Sequence, residues 1–208
     1  MKSLLLTAAA FILAITTSAQ EINRVYKADS MVFFGLDYSG AVFLGSNGFK
    51  SAAELEMLPE SWNSLFVSEQ KKYDVQTAFN VRTRYNLNVV KERNKRVNYA
   101  DRITDKEMLI PHLTRKDVEA VISGYPDMDG DIGLVFIVDA YDKTETKGYY
   151  HVVFFDIRTK EVLLRYMVSG NASGAGLRNY WANTFYEAIK KAGKRYSTTA
   201  EFYRSYTE

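Results

Sequence analysis

The apolar and polar positions of this chain change period along its length, beginning with a nearly uninterrupted apolar stretch from Leu4 to Ile15. Lys2 precedes that stretch, and Thr17-Ser18-Ala19 closes it with small residues. A positive start, a short apolar core and a small-residue end make a secretory signal peptide over residues 1–19, with cleavage expected between Ala19 and Gln20. The apolar core is shorter than the ~20 residues that a bilayer span needs, and no second long apolar run follows. The mature chain is therefore expected to be exported, to carry no transmembrane span, and to fold as one globular domain over residues 20–208.

Within that domain, Met31 to Tyr38 (MVFFGLDY) reads as a strand. Plain alternation puts Val32, Phe34, Leu36 and Tyr38 on one face and Met31, Phe33, Gly35 and Asp37 on the other. Gly40 to Gly48 is punctuated by glycine and reads as a loop or a short extension. Ala52 to Tyr73 carries a helical stripe of Trp62, Leu65 and Phe66, with Pro59 suited to a first turn. Arg84 to Val90 alternates Tyr85, Leu87 and Val89 with Asn86 and Asn88, the pattern of a strand with one wet face. Thr114 followed by Asp117 announces a helix start, Val118, Val121 and Ile122 give its buried face, and Gly124 and Pro126 stop it.

Ile132 to Tyr141 (IGLVFIVDAY) is the strongest strand signal. The polar residues Asp142 to Lys147 lead into Tyr149 to Ile157, so an antiparallel hairpin is the simplest topology. A tight turn at Arg158-Thr159-Lys160 leads to a third strand over Glu161 to Ser169. Leu177 to Ala192 is an amphipathic helix ended by Gly193, and residues 196–208 are left as a short helix or tail. The order β, α, β, α, β, β, β, α predicts an α+β fold: a mostly antiparallel sheet of four to five strands with helices packed on one face.

Composition narrows the function. The chain has 208 residues and a formal net charge of +2, which argues against a nucleic-acid partner. It contains no cysteine, so an exported domain must hold itself together by packing alone, without disulfides, thiol chemistry or cysteine-ligated zinc. Fifteen Tyr, 12 Phe and 2 Trp suit either an aromatic core or a sugar-binding surface, and their periodicity favours the core.

Candidate chemistry is sparse. His112 and His151 stand far apart in sequence outside any metal-ligand pattern and read as structural. Asp127, Asp129 and Asp131 copy the first ligand spacing of an EF-hand loop, but Ile132 takes the place of its glycine and Val138 that of its closing glutamate; an acidic turn is the simpler reading. Gly170, Gly174 and Gly176 lie between a strand and a helix, yet match neither nucleotide fingerprint. The basic run Lys91 to Arg96 could hold an anion, but Glu92 interrupts it and a solvated connection explains it better. Asp139 is the acid of most interest, because a carboxylate in an apolar strand needs a partner. The hairpin separates it from Asp156 by too far for two carboxylates to act on one bond. No catalytic, cofactor-binding or metal residue is assigned, and no cofactor is expected.

The segments GLVFIVDAY, VVFFDIRTKEVLL and SGNASG, within residues 133–192, resemble a superfamily of bacterial envelope modules. It comprises the curli-secretion and penicillin-binding-protein-activator lipoproteins and the amino-terminal domain of the Tol-system periplasmic protein. Asp156, Thr159, Glu161, Val162 and Leu163 match its central turn and strand, while Lys160 replaces the usual glycine. The family's lipid-attachment cysteine has no counterpart here, so anchoring does not carry over. The resemblance implies a non-catalytic role in docking another envelope protein.

The resulting expectation is an exported interaction module, periplasmic or extracellular. Its partner would be an envelope protein or a cell-surface polymer, met through a sheet edge or helix face. Two rivals stand beside it: a hydrolase using Asp37, Asp139 or Asp156, and a carbohydrate or small-ligand binder using Tyr and Trp.

Overall fold

The computed structural model describes residues 21–49 and 52–205; the expected signal peptide and residues 206–208 lie outside them. Among the described residues, seven strands form one sheet: β1 (Ser30–Asp37), β2 (Val42–Leu44), β3 (Arg82–Tyr85), β4 (Ile103–Thr104), β5 (Ile132–Asp142), β6 (Lys147–Asp156) and β7 (Val162–Asn171). After a short helical segment at residues 21–26, the helices that pack on the sheet are α1 (Ala52–Ser68), α2 (Val75–Phe79), α3 (Asn88–Asn94), α4 (Arg115–Ser123) and α5 (Leu177–Ser205).

The expected antiparallel α+β sheet is overturned. β5 is central, and β1 and β2 run end to end along one of its edges, both parallel to it. β3 flanks β1 and β4 flanks β2, again in parallel. Only the far side is antiparallel, where the β5–β6 hairpin continues into β7. Nor do the helices keep to one face. One core packs α1, α2 and α5 against Phe33, Leu134, Phe136 and Phe154; a second packs α3 and α4 against Phe34, Val135, Ile137 and Phe155. The chain is an α/β fold with helices on both faces of a largely parallel sheet. The physical reason lies in β1 and β5 themselves: a strand buried on both faces is apolar throughout, as parallel central strands are.

Three local corrections follow. The wet-faced strand expected over Arg84 to Val90 is two elements: β3 ends at Tyr85, and α3 begins at Asn88. Pro59 lies inside α1, not in its first turn. Gly193 does not end α5, which runs on to Ser205; a Cβ there would sit 2.2 Å from the Ala78 carbonyl oxygen, so glycine serves close packing on α2. The helix start at Thr114 stands as read, with Thr114 and Asp117 forming a reciprocal capping box.

A bulge resets the parity of β1. Its pairing with β5 shifts between Phe33 and Leu36, around Gly35 at φ +96°. Before the bulge Val32 and Phe34 face the second core; after it Leu36 and Tyr38 face the first, which plain alternation had put together. β3 pairs β1 only as far as Phe33, so the backbone beyond needs other partners. Asn63 of α1 accepts from Leu36 N at 2.8 Å and donates to Leu36 O at 3.0 Å. Asn94 of α3 accepts from Tyr38 N at 2.8 Å and also donates to Leu36 O. A Cβ on residue 35 would lie 2.3 Å from Asn63 Oδ1, so glycine is required there for space as well as for its backbone angle.

Tyr38, Trp62, Tyr141 and Trp181 form one buried aromatic cluster past this break. Tyr141 and Trp181 stack with centroids 4.7 Å apart, and Tyr38 and Trp62 stack at 5.5 Å. Their hydroxyls are satisfied internally: Tyr38 and Tyr141 share a 2.7 Å bond, and Tyr150 donates to Tyr141 and bonds Thr184.

Replacing Asn63 by Ala should strip the Leu36 amide and carbonyl of this partner. The Leu36 carbonyl keeps Asn94, but the buried amide is left unpaired, which should lower the unfolding free energy by roughly 2 kcal/mol. Denaturant unfolding checks this, with the exposed Ser64→Ala, expected to change it by under about 0.5 kcal/mol, as the control.

Candidate functional site

Asp37, Asp139 and Asp156, the three acids that stand out in the sequence, are all buried. Asp139 lies at a bulge in β5, where pairing with β6 skips from Val138 to Ala140. It is fully buried and does not face water. Oδ1 accepts from Leu113 N at 2.9 Å and His151 Nε2 at 3.0 Å; Oδ2 accepts from His112 N at 3.1 Å. The fold thus brings together His112, Asp139 and His151, which the sequence reading had kept apart. Only the misfit of an acid in an apolar strand hinted at the meeting.

The two rings are held differently. Because Asp139 can only accept, His151 donates from Nε2, which leaves Nδ1 to accept from Arg165 Nη1 at 3.1 Å. His112 Nε2 donates to Gly40 O at 3.0 Å, and its Nδ1 lies 3.2 Å from Asp139 Oδ2, an ionic contact outside hydrogen-bond angles. Both nitrogens of His112 therefore face oxygen acceptors, a setting that suits the doubly protonated ring. Burial lowers the His112 pKa, but the neighbouring Asp139 carboxylate more than reverses this and holds it above its ordinary 6.5. Burial likewise pushes Asp139 up, and the bonds from His112, His151 and Leu113 N overcome it, leaving the carboxyl well below the usual range. Asp139 spends its lone pairs on fastening residues 112–113 to the sheet, and neither ring turns a free nitrogen outward.

Asp37 and Asp156 are occupied in the same way. Asp37 is fully buried and accepts from Ser39 N, Arg93 Nε and Tyr125 Oη, at 2.8, 2.9 and 2.9 Å. Arg93, from the basic run, is thereby committed: it also donates to Gly124 O and lies over the Tyr125 ring. Asp156 pairs with Ile132, at the opposite end of β5 from Asp139. It accepts from Arg24 Nη2 at 2.7 Å and from the amides of Arg158 and Thr159. Burial raises Asp156, but the Thr159 amide and Arg24 bring it down to about 2.

The acidic turn is answered by cations of the chain itself. Asp131 meets Arg24 at 2.7 Å, Asp127 meets Lys160 at 3.5 Å, and Gly130 supplies a φ of +147°. Among the described residues, no group of three His, Cys, Asp or Glu side chains is placed to hold a metal ion. In the glycine loop, Gly170 is packed against α5: a Cβ there would lie 1.9 Å from Thr184 O. Both tryptophans are buried, so they line the core and not a surface.

Among the described residues the sheet ends in β3, β4 and β7, and β7, ten residues long against four and two, is the longest of these edges; it pairs with β6 alone. Lys191 Nζ reaches Ser169 O at 2.7 Å, and Asn171 N donates to Glu187 Oε2 at 3.0 Å, so these backbone groups point away from β6. The two-residue repeat of a strand turns the backbone of Arg165 and Met167 the same way. Beside them, Arg115, Val118, Val162, Leu164 and Arg165 line a notch of about 200 Å³. The sequence identified this strand but not its position at an edge.

No protein-family model matches the chain, and no curated protein does. A solved structure with some similarity is the crystal structure of lipoprotein GNA1162 from Neisseria meningitidis: 14% identical, covering 80% of this chain and 95% of that chain, with a TM-score of 0.34.

Asp139→Asn should cost about 3 kcal/mol of stability, since it leaves buried polar partners without their charge. The linked pH dependence has two limbs. A depressed carboxyl stabilises above its ordinary value of 3.8, and that contribution is lost as pH falls below it. A raised histidine stabilises fully below 6.5 and loses its contribution as pH climbs through the folded value. Thermal melts should therefore peak between these limits; His112→Gln should remove the alkaline limb and also shrink the acid limb, because His112 helps to hold Asp139 down.

Proposed function

We propose that this chain is an exported, non-catalytic envelope module that docks a partner protein along the free edge of β7. The observation that carries the reading is the contrast between the acids and the edge. Asp37, Asp139 and Asp156 are each engaged by partners that hold the fold together, while Arg165, Met167 and Ser169 present strand backbone outward. A long edge strand is a template for adding another chain's strand.

Export is supported by the signal-like residues 1–19, and the envelope setting by the resemblance of residues 133–192 to the curli-secretion, penicillin-binding-protein-activator and Tol-system modules. No helix among the described residues is long and apolar enough to cross a membrane. The partner class follows from the same edge: strand addition uses main-chain hydrogen bonds, which a protein offers and a polysaccharide does not.

Two measurements test this reading. N-terminal sequencing of the processed protein should begin at Gln20. A photo-crosslinking amino acid at Met167 should capture a protein partner in intact cells, and the same probe at Ser64 on α1 should not. Equal capture at both positions, or capture at Ser64 alone, would falsify docking at β7.

A further inference from the structure

The charges framing β7 identify the kind of segment it takes, resting on the docking reading above. On one face of the sheet, α5 lays Glu187, Lys191 and Arg195 along the strand at four-residue spacing. Glu187 binds Asn171, Lys191 binds Ser169 O, and the Arg195 guanidinium lies 4.4 Å from the centroid of the Tyr166 ring. On the other face stand Arg165 and, across the 200 Å³ notch, Arg115. The carboxylates nearby are already committed or peripheral: Glu187 to Asn171 and Lys191, Glu119 to Arg115 at 2.7 Å, with Glu161 just ahead of the strand. Arg165 and Arg195 meet no carboxylate within 4.0 Å among the described residues.

We propose that β7 accepts an extended, acidic peptide segment of another protein as an added strand. Its backbone pairs with Arg165, Met167 and Ser169, and its carboxylates meet Lys191 and Arg195 on one face and Arg165 on the other. Lys191 leaves Ser169 O as a peptide N–H takes that acceptor, and its ammonium moves to an incoming carboxylate. Alternate side chains of an added strand point to opposite faces, so acids at both parities find a cation. A second copy of this chain is the poorer occupant: two-fold pairing of β7 with itself sets one cationic frame against another, and like charges across strands repel.

The test uses the full mature chain and three fluorescein-labelled peptides: alternating valine and glutamate, alternating valine and lysine, and the glutamate peptide with prolines at alternate positions. Fluorescence anisotropy should show binding of the glutamate peptide, at least tenfold weaker binding of the other two, and loss of affinity with added salt. Hydrogen exchange should slow at the amides of residues 165–169 when the glutamate peptide is present. The double reversal Lys191→Glu with Arg195→Glu lies on exposed helix positions; it should cut glutamate-peptide binding at least tenfold and favour the lysine peptide.

Equal binding of the acidic and basic peptides, protection elsewhere than β7, or an indifferent double reversal overturns the inference. So does a double reversal that merely makes the chain self-associate, because the cations would then be guards against edge pairing. A Met167 crosslink to a partner, with no preference for the acidic peptide, sinks this inference and leaves the docking reading standing. Acidic-peptide binding without any Met167 crosslink in cells does the reverse.

Discussion

Past Gly35, strand β1 has lost its neighbour on one side, and the side-chain amides of Asn63 and Asn94 take that neighbour's place. A strand inside a sheet cannot leave its amides and carbonyls unpaired in a dry interior. β3 is too short to reach Leu36, so α1 and α3 each send in one buried asparagine. This substitution ties two helices on the two sides of the sheet to a single backbone position. It also explains why Gly35 tolerates no Cβ, and why the chain turns its apolar residues from one core to the other at that point.

The buried acids answer the same demand from the other direction. Asp37 collects a turn, an arginine and a tyrosine; Asp139 collects two backbone amides and two imidazoles; Asp156 collects a turn and the helical residue Arg24. Each sits where the chain leaves a strand or interrupts one, where irregular backbone most needs charged or strong acceptors. In a protein without cysteine these clusters do the fastening that covalent cross-links do in many exported domains.

Much of the antiparallel half was legible from the sequence. β5, β6 and β7 are long apolar runs with polar turns between them, and local pairing follows from such short connections. The parallel half was not legible, because it depends on contacts between distant segments. Nothing in Met31–Tyr38 announces pairing with Arg82–Tyr85, and Asn86 and Asn88 imitate a wet strand face although the first ends the pairing with β1 and the second begins a helix. The bulge at Gly35 defeated the plain alternation read for β1, since one extra residue reverses every side chain beyond it. The site fared similarly. Asp139 was recognisable as an acid out of place, but its two histidines come from a loop and a neighbouring strand, and no spacing rule links them. Lys160, standing where the resembling modules have glycine, adopts φ +62° and spans the turn with bonds to Pro126 O and Ile157 O.

The packing of Trp62 edge-on and Trp181 face-on against Tyr141 has a consequence for optical work on this protein. Both indoles occupy the same buried cluster, at 5.3 and 4.7 Å from that one ring. Tryptophan emission is therefore a single-locus signal, and the close rings give a near-ultraviolet dichroism that reports whether the interior is intact. A spectral change on mixing with another molecule would mean that the interior had rearranged; events confined to the sheet's rim would pass unseen unless a dye were placed there.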